Sequence, residues 1–169
     1  DDLLASIEGV ARSADDAELL RALFERRIGG ALQPEQVATW STELGELLAA
    51  RFDQPAAAAD ALLRAAEAAG HAGDAARATR LLTRVLALRP GDRAAAMRLS
   101  ALHREAGAWA ELTALGAQLV RTAPSAEEAA QLLFGLEEPA VQAGAVDRFL
   151  AESDALLSTR ADELSAETR

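Results

Sequence analysis

The 169-residue chain has no cysteine, no tyrosine and no lysine, and it carries a single methionine, four phenylalanines and two tryptophans. Without cysteine there is neither a disulfide frame nor a thiolate zinc site, and the redox compartment stays open. No apolar run approaches the roughly 18 residues that a bilayer-spanning helix needs, so membrane insertion is not expected. No stretch reads as a signal peptide. The first residue is Asp1 rather than methionine, which suggests a segment of a larger protein. The shortage of aromatic and β-branched residues removes the side chains that favour strands.

What is abundant is alanine, 43 residues, and leucine, 27. Both are strong helix formers, so the expected class is all-α. The length suffices for one domain or one continuous helical array that buries most of its unfolded surface without covalent staples. All 17 basic residues are arginine; with the alanine excess, this resembles the coding bias of a GC-rich bacterial genome. The net charge is −10 and is unevenly spread. Residues 1–58 carry a net −6, residues 59–124 a net +3 and residues 125–169 a net −7. The overall acidity argues against nucleic acid and anionic membranes as partners.

Stop and start signals divide the chain into nine or ten helices. Residues 3–12 read as a short first helix. Ser13 is a candidate cap for the next, with Asp16 three residues on, an acidic form of the capping box. Leu19, Leu20, Leu23, Phe24 and Arg27 follow at helical spacing. Gly29-Gly30 is expected to stop that helix in the left-handed conformation. Pro34 and Pro55 suit first turns, where a missing N–H costs nothing. Val37, Trp40, Leu44, Leu47, Leu48 and Phe52 form one apolar face between them. Asp74 and Asp92 are candidate caps after turns at Gly73 and Gly91. Ser125 and Glu128 make an S-x-x-E capping box. Leu132, Leu133 and Leu136, then Val146, Phe149, Leu150, Leu156 and Leu157, supply the last apolar faces. Turns of two to five residues favour antiparallel neighbours.

A period runs through the middle. Val85-Leu86-Ala87-Leu88-Arg89-Pro90 and Leu119-Val120-Arg121-Thr122-Ala123-Pro124 close two successive helix-turn-helix units. Pro90 and Pro124, like Gly73 and Gly107, stand 34 residues apart. A fixed period of this size marks a solenoid, in which each repeat buries its apolar face only against its neighbours.

These residues resemble the tetratricopeptide repeat (TPR). With Pro90 at the family's proline position, residues 59–92 form one repeat. Ala66 and Ala78 then occupy the small positions where the two helices of a repeat cross. Residues 93–126 form a second, weaker one, with Ser100 and Gly107 in place but Leu112 and Gly116 off the pattern. Trp40, Leu44, Gly45 and Leu48 resemble the W-x2-L-G-x2-Y opening with one residue extra, in a frame that makes 55–70 a second rather than a first helix. The resemblance implies an α-solenoid of antiparallel helix pairs wound as a right-handed superhelix. Irregular helices would occupy 1–33, repeats 34–126, and a degenerate repeat with capping helices 127–169.

No catalytic constellation accompanies the repeats. His71 and His103 are read as turn and surface residues rather than metal ligands. Asp15-Asp16, Glu127-Glu128 and Glu137-Glu138 are adjacent pairs. Neighbouring side chains on a helix point about 100° apart, so they do not form an acid/base pair. The serines lack nucleophile-elbow glycines, and Gly29-Gly30 lacks a phosphate-loop context. Arg77, Arg80 and Arg84 line one helix face. They read either as a solvated outer face or as a patch for an acidic partner. Trp40 and Trp109 are expected in the core.

The reading is therefore a non-catalytic protein–protein interaction scaffold, with no cofactor and no metal, that presents a helical groove to a peptide or partner protein. The alternative is a regulatory or sensory helical segment of a multidomain enzyme or transcription regulator. Self-association is a further outcome of acidic ends flanking a basic middle. The TPR resemblance places the groove on the first helix of each repeat and so names Leu63, Glu67, His71, Met97, Ala101 and Arg104 as partner-facing. The Lys/Asn carboxylate clamp of TPR cochaperones is missing from these positions.

Overall fold

In a computed structural model the described residues are helical or in short turns, with no strand among them. The structure describes residues 2–123, 125, 128, 129, 131, 132, 135, 137–144, 146, 147, 150, 151, 154, 155 and 158. Eight helices are delimited among them. They are α1 (Asp2–Ser13), α2 (Ala17–Gly30), α3 (Pro34–Arg51), α4 (Pro55–His71), α5 (Ala75–Leu88), α6 (Arg93–Glu105), α7 (Trp109–Thr122) and α8 (Glu137–Gln142). Pro124, Leu133, Leu136, Phe149, Leu156 and Leu157 lie outside the described residues.

The punctuation acts locally as its chemistry dictates. Pro34 and Pro55 open α3 and α4. Asp74 accepts the backbone N–H of Arg77 at 2.9 Å, and Asp92 that of Ala95 at 3.0 Å, each satisfying an orphan donor of a helix start. Ser125 Oγ accepts the N–H of Glu128 at 3.2 Å. Gly73 and Gly107 adopt φ +78° and +65°. After each, the next N–H reaches back five residues: Asp74 to the Ala69 carbonyl at 2.9 Å, Ala108 to that of His103 at 2.8 Å. The same left-handed helix stop is thus built twice, 34 residues apart.

A third copy of this stop ends α1, where the Asp16 N–H bonds the Ala11 carbonyl at 2.9 Å. Here the left-handed residue is Asp15, φ +54°, in place of glycine. Two expectations are corrected at this end of the chain. Ser13 does not cap α2; it is the last residue of α1 and donates to the Gly9 carbonyl at 2.8 Å. Asp16 is the cap, accepting from the Leu19 N–H at 3.0 Å. Gly29 and Gly30 are not left-handed, because α2 runs through both and leaves by an extended Ala31, φ −72° and ψ 129°.

The chain divides into two compact units, Asp1–Ala95 and Ala96–Arg169. In the first, each helix packs against the next in order from α1 to α5, the sequential stacking of an α-solenoid. Its core joins Ala11, Leu20, Phe24, Leu44, Leu48, Ala58 and Ala61. The tightest crossing is between α3 and α4, where Gly45 lies against Leu62 and the Ala58 carbonyl. In the second unit α7 packs on α8. Val120, Ala123 and Ala129 form a small core there, with Leu132 against it.

The arginine stripe of α5 does not face solvent as one patch. Arg77 is half-buried and points its guanidinium at Thr39 and Thr42 of α3, 3.4 Å from their hydroxyls. Arg84 pairs with Glu46 of α3 at 3.3 Å. Arg80 is left exposed between them.

Candidate functional site

The first unit has a groove of about 1120 Å³ walled by α1, α2 and the start of α3. Leu4, Ala5 and Glu8 line it from α1, Arg26, Arg27, Gly29 and Gly30 from α2, and Glu35, Gln36, Thr39 and Trp40 from α3. The continuation of α2 through Gly29 and Gly30 carries two residues without side chains along the wall, and neither glycine has a heavy atom within 4 Å of where a Cβ would stand. Ala31 and Leu32 of the connection complete the lining.

Trp40 on the groove wall contacts both a ring and a charge. Trp40 stacks on Phe24, with ring centroids 6.2 Å apart and planes 17° from parallel. The Arg27 guanidinium lies 4.0 Å from the Trp40 ring centroid. Its side chain is only 10% exposed and is neutralised by Glu8 at 2.6 Å. A largely buried cation is tolerable only with such a partner, and the indole face adds a second favourable contact. The other oxygen of Glu8 takes Arg12, which reaches on to Glu43 of α3 at 3.0 Å. Glu43 first, then Glu8, hold the Arg12 guanidinium above its ordinary pKa. Arg26, by contrast, is exposed at the groove edge and makes no ion pair among the described residues.

A second, smaller concavity of about 300 Å³ lies between the start of α3 and the end of α4. Val37, Arg64, Glu67, Ala68 and His71 line it, together with the Ala31–Pro34 connection. Leu32 belongs to the linings of both concavities. It is 90% exposed, the most exposed large apolar side chain described.

Of the six residues named from the sequence, the structure brings two together at this second concavity, Glu67 and His71, both exposed. Leu63 is half-buried one turn earlier on α4 and does not line it. Met97, Ala101 and Arg104 lie in the second unit, on an exposed face of α6; Met97 is 66% exposed. Sequence reasoning missed Leu32, Arg26, Arg27 and Glu8. Leu32 carried a signal: an isolated leucine in a connection just before a helix-opening proline has no periodic face to join. Trp40 is half-buried in the groove wall, and Trp109 is likewise half-buried.

Among the described residues no three His, Cys, Asp or Glu side chains gather as a metal site. No described helix is long and apolar enough to cross a membrane. No protein-family model matches the chain, and no curated protein matches it. Among solved structures the chain is similar to a crystal structure of MamA protein, at 15% identity over 97% of this chain and 93% of that one, with a TM-score of 0.42. A second MamA crystal structure is similar at 15% identity over 94% of this chain and 97% of that one, again with a TM-score of 0.42.

Proposed function

We propose that the protein is a non-catalytic interaction scaffold that holds a peptide or a partner protein against the α1–α2–α3 groove. The observation that carries this reading is the placement of Leu32. A 90% exposed leucine lines two concavities at once, one of them walled by Trp40 and the neutralised Arg27–Glu8 pair. An apolar side chain held in water gains on docking, by roughly 25 cal/mol per Å² of apolar surface covered. The groove supplies few reactive groups, since Glu8 and Arg27 are already spent on one another. A partner side chain that is apolar at Leu32 and acidic at Arg26 fits best.

Glu67 and His71 are the proposed contacts on the adjoining concavity. Leu63 on α4 is a further proposed contact of the first unit, and Met97, Ala101 and Arg104 on α6 are separately proposed contacts of the second. The repeat frame 34–126 supports the same reading, because stacked helix pairs present successive exposed faces. The arginine-only basic set and the alanine excess support a bacterial source with a GC-rich genome.

The test is affinity capture by the intact chain and by Leu32→Glu, Arg26→Glu and Met97→Glu variants, each checked for an unchanged melting temperature. Loss of a captured partner on Leu32→Glu supports the groove. Capture retained by Leu32→Glu but lost on Met97→Glu would move the contact to α6. Capture indifferent to all three would remove the scaffold reading.

A further inference from the structure

The helix that forms the outer wall of the groove is held in an unusual way. On α1 only Ala11 is completely buried. Leu3 and Val10, seven residues apart on one face, are 72% and 64% exposed. Ion pairs hold the C-terminal half of the helix and the turn that follows it. Glu8 reaches Arg27 of α2, Arg12 reaches Glu43 of α3, and Asp15 in the following turn takes both terminal nitrogens of Arg51, at 2.5 and 2.8 Å.

That turn is only Ala14-Asp15-Asp16. At its centre Asp15 sits at φ +54°, in the position that Gly73 and Gly107 fill in the two equivalent stops. A residue with a Cβ is disfavoured there, whereas glycine is at ease. A short hinge under strain is the condition under which an element exchanges between copies of a chain. Release of Asp15 to ordinary helical angles would join α1 and α2 into one helix of 29 residues, roughly 43 Å long. The joined α1 would then stand clear of its own α3, and the surface it left would be complementary to another α1.

We infer that the α2–α3 face of the first unit is a helix-binding surface whose second occupant is α1 of another copy of this chain, exchanged through the Ala14–Asp16 hinge. Every contact of the closed form is remade in the exchanged dimer: Glu8 with the other copy's Arg27, Arg12 with its Glu43, Ala11 in its core. The native interactions that differ are those of the hinge, namely the left-handed Asp15 with its pair to Arg51, the Asp16 cap on Leu19 and the bond from the Asp16 N–H to the Ala11 carbonyl. The hinge therefore sets the balance between the two forms.

The experiment is analytical ultracentrifugation of the full chain beside Asp15→Ala and Asp15→Gly. Alanine favours a continuous helix and removes the Arg51 pair; glycine accepts the turn without strain. Asp15→Ala should lower the dimer dissociation constant at least about tenfold, since two hinges change per dimer, and Asp15→Gly, which loses the same ion pair but accepts the turn and disfavours the joined helix, should give a constant at least about tenfold above that of Asp15→Ala. Equal constants for the three proteins, or monomers throughout the micromolar to millimolar range, would overturn the proposal. The exchange itself is read with Arg12→Cys/Glu43→Cys in the Asp15→Ala background and a short bis-maleimide. The absence of native cysteine makes the linkage unambiguous. A covalent dimer on a denaturing gel is expected from the dimer fraction. Covalently closed monomers alone from that fraction would show a dimer made without exchange and would also overturn it.

Discussion

Gly45 of α3 lies so close to Leu62 of α4 that a methyl group added at Gly45 would stand 2.7 Å from Leu62 Cγ and 3.2 Å from the Ala58 carbonyl oxygen. Leu62 is completely buried, so it has little room to retreat. Gly45→Ala gains up to about 1 kcal/mol of helix propensity but forces overpacking that costs about 1–3 kcal/mol. Packing wins, and the variant should be less stable by about 1 kcal/mol or more in urea denaturation. Leu62→Ala alone should cost about 2–5 kcal/mol. The double variant should cost less than the sum, because the new methyl then fills vacated space. Strict additivity would refute the close approach.

Ser41, on the same helix, is completely buried, and its hydroxyl finds no hydrogen-bond partner among the described residues. A buried unsatisfied hydroxyl costs about 1–3 kcal/mol. Ser41→Ala should therefore leave stability unchanged or raise it, by at most about 2 kcal/mol. A drop in melting temperature would show that the hydroxyl does have a partner.

The pairing of Asp15 with Arg51 makes one contribution to stability that depends on pH. The hydrogen bond from Arg51, and then its charge, hold the Asp15 carboxyl below the ordinary value of 3.8. A carboxylate with a depressed folded-state pKa stabilises the fold above its unfolded value and loses that contribution as pH falls through the folded value. The stability difference between the wild type and Arg51→Gln should thus be constant near neutrality and shrink as pH drops below 3.8. Both groups lie at the surface, so salt should shrink it too. A difference that grows in acid would contradict the pairing.

Arg89 joins the end of α5 to the start of α4. One guanidinium reaches the Asp60 carboxylate at 2.7 Å, the Ala56 carbonyl at 2.8 Å and Asp92 at 3.0 Å. Asp60 is 70% exposed, so the ion pair itself is screened. Arg89→Ala should cost about 1 kcal/mol, and Arg89→Lys should recover little of it. A compact ammonium does not present a fork to three acceptors. The change in chemical-denaturation midpoint measures both, and full rescue by lysine would show that charge alone matters.

The parts of the fold that were legible in the sequence rest on residues with only one comfortable place. Pro34 and Pro55 had to open helices, Asp74 and Asp92 had to cap them, and Gly73 and Gly107 had to supply positive φ. The misreadings fall where two residues compete for one role. Ser13 and Asp16 both offer a cap oxygen, and the left-handed Asp15 between them decides for Asp16. Gly29-Gly30 could stop a helix but need not, and the stop moves to the extended Ala31. The groove was not legible, because it is made by contacts distant in sequence. Glu8 and Arg27 are 19 residues apart, and Arg27 meets Trp40 only after α2 and α3 fold back on each other. The 34-residue period carried the repeated turn but says nothing about Leu32, which lies before the repeat begins.

The central claim, that a partner is held against Leu32 in the α1–α2–α3 groove, is tested most directly by site-specific photo-cross-linking. A benzophenone amino acid is placed at Leu32 in one protein and at Ala76, exposed on α5, in another. Both are irradiated in extract from the source cells. The account predicts a discrete cross-linked partner from position 32 that is absent from position 76 and is lost when Arg26→Glu is added. Equal cross-linking from both positions, or a position-32 product indifferent to Arg26→Glu, would contradict it.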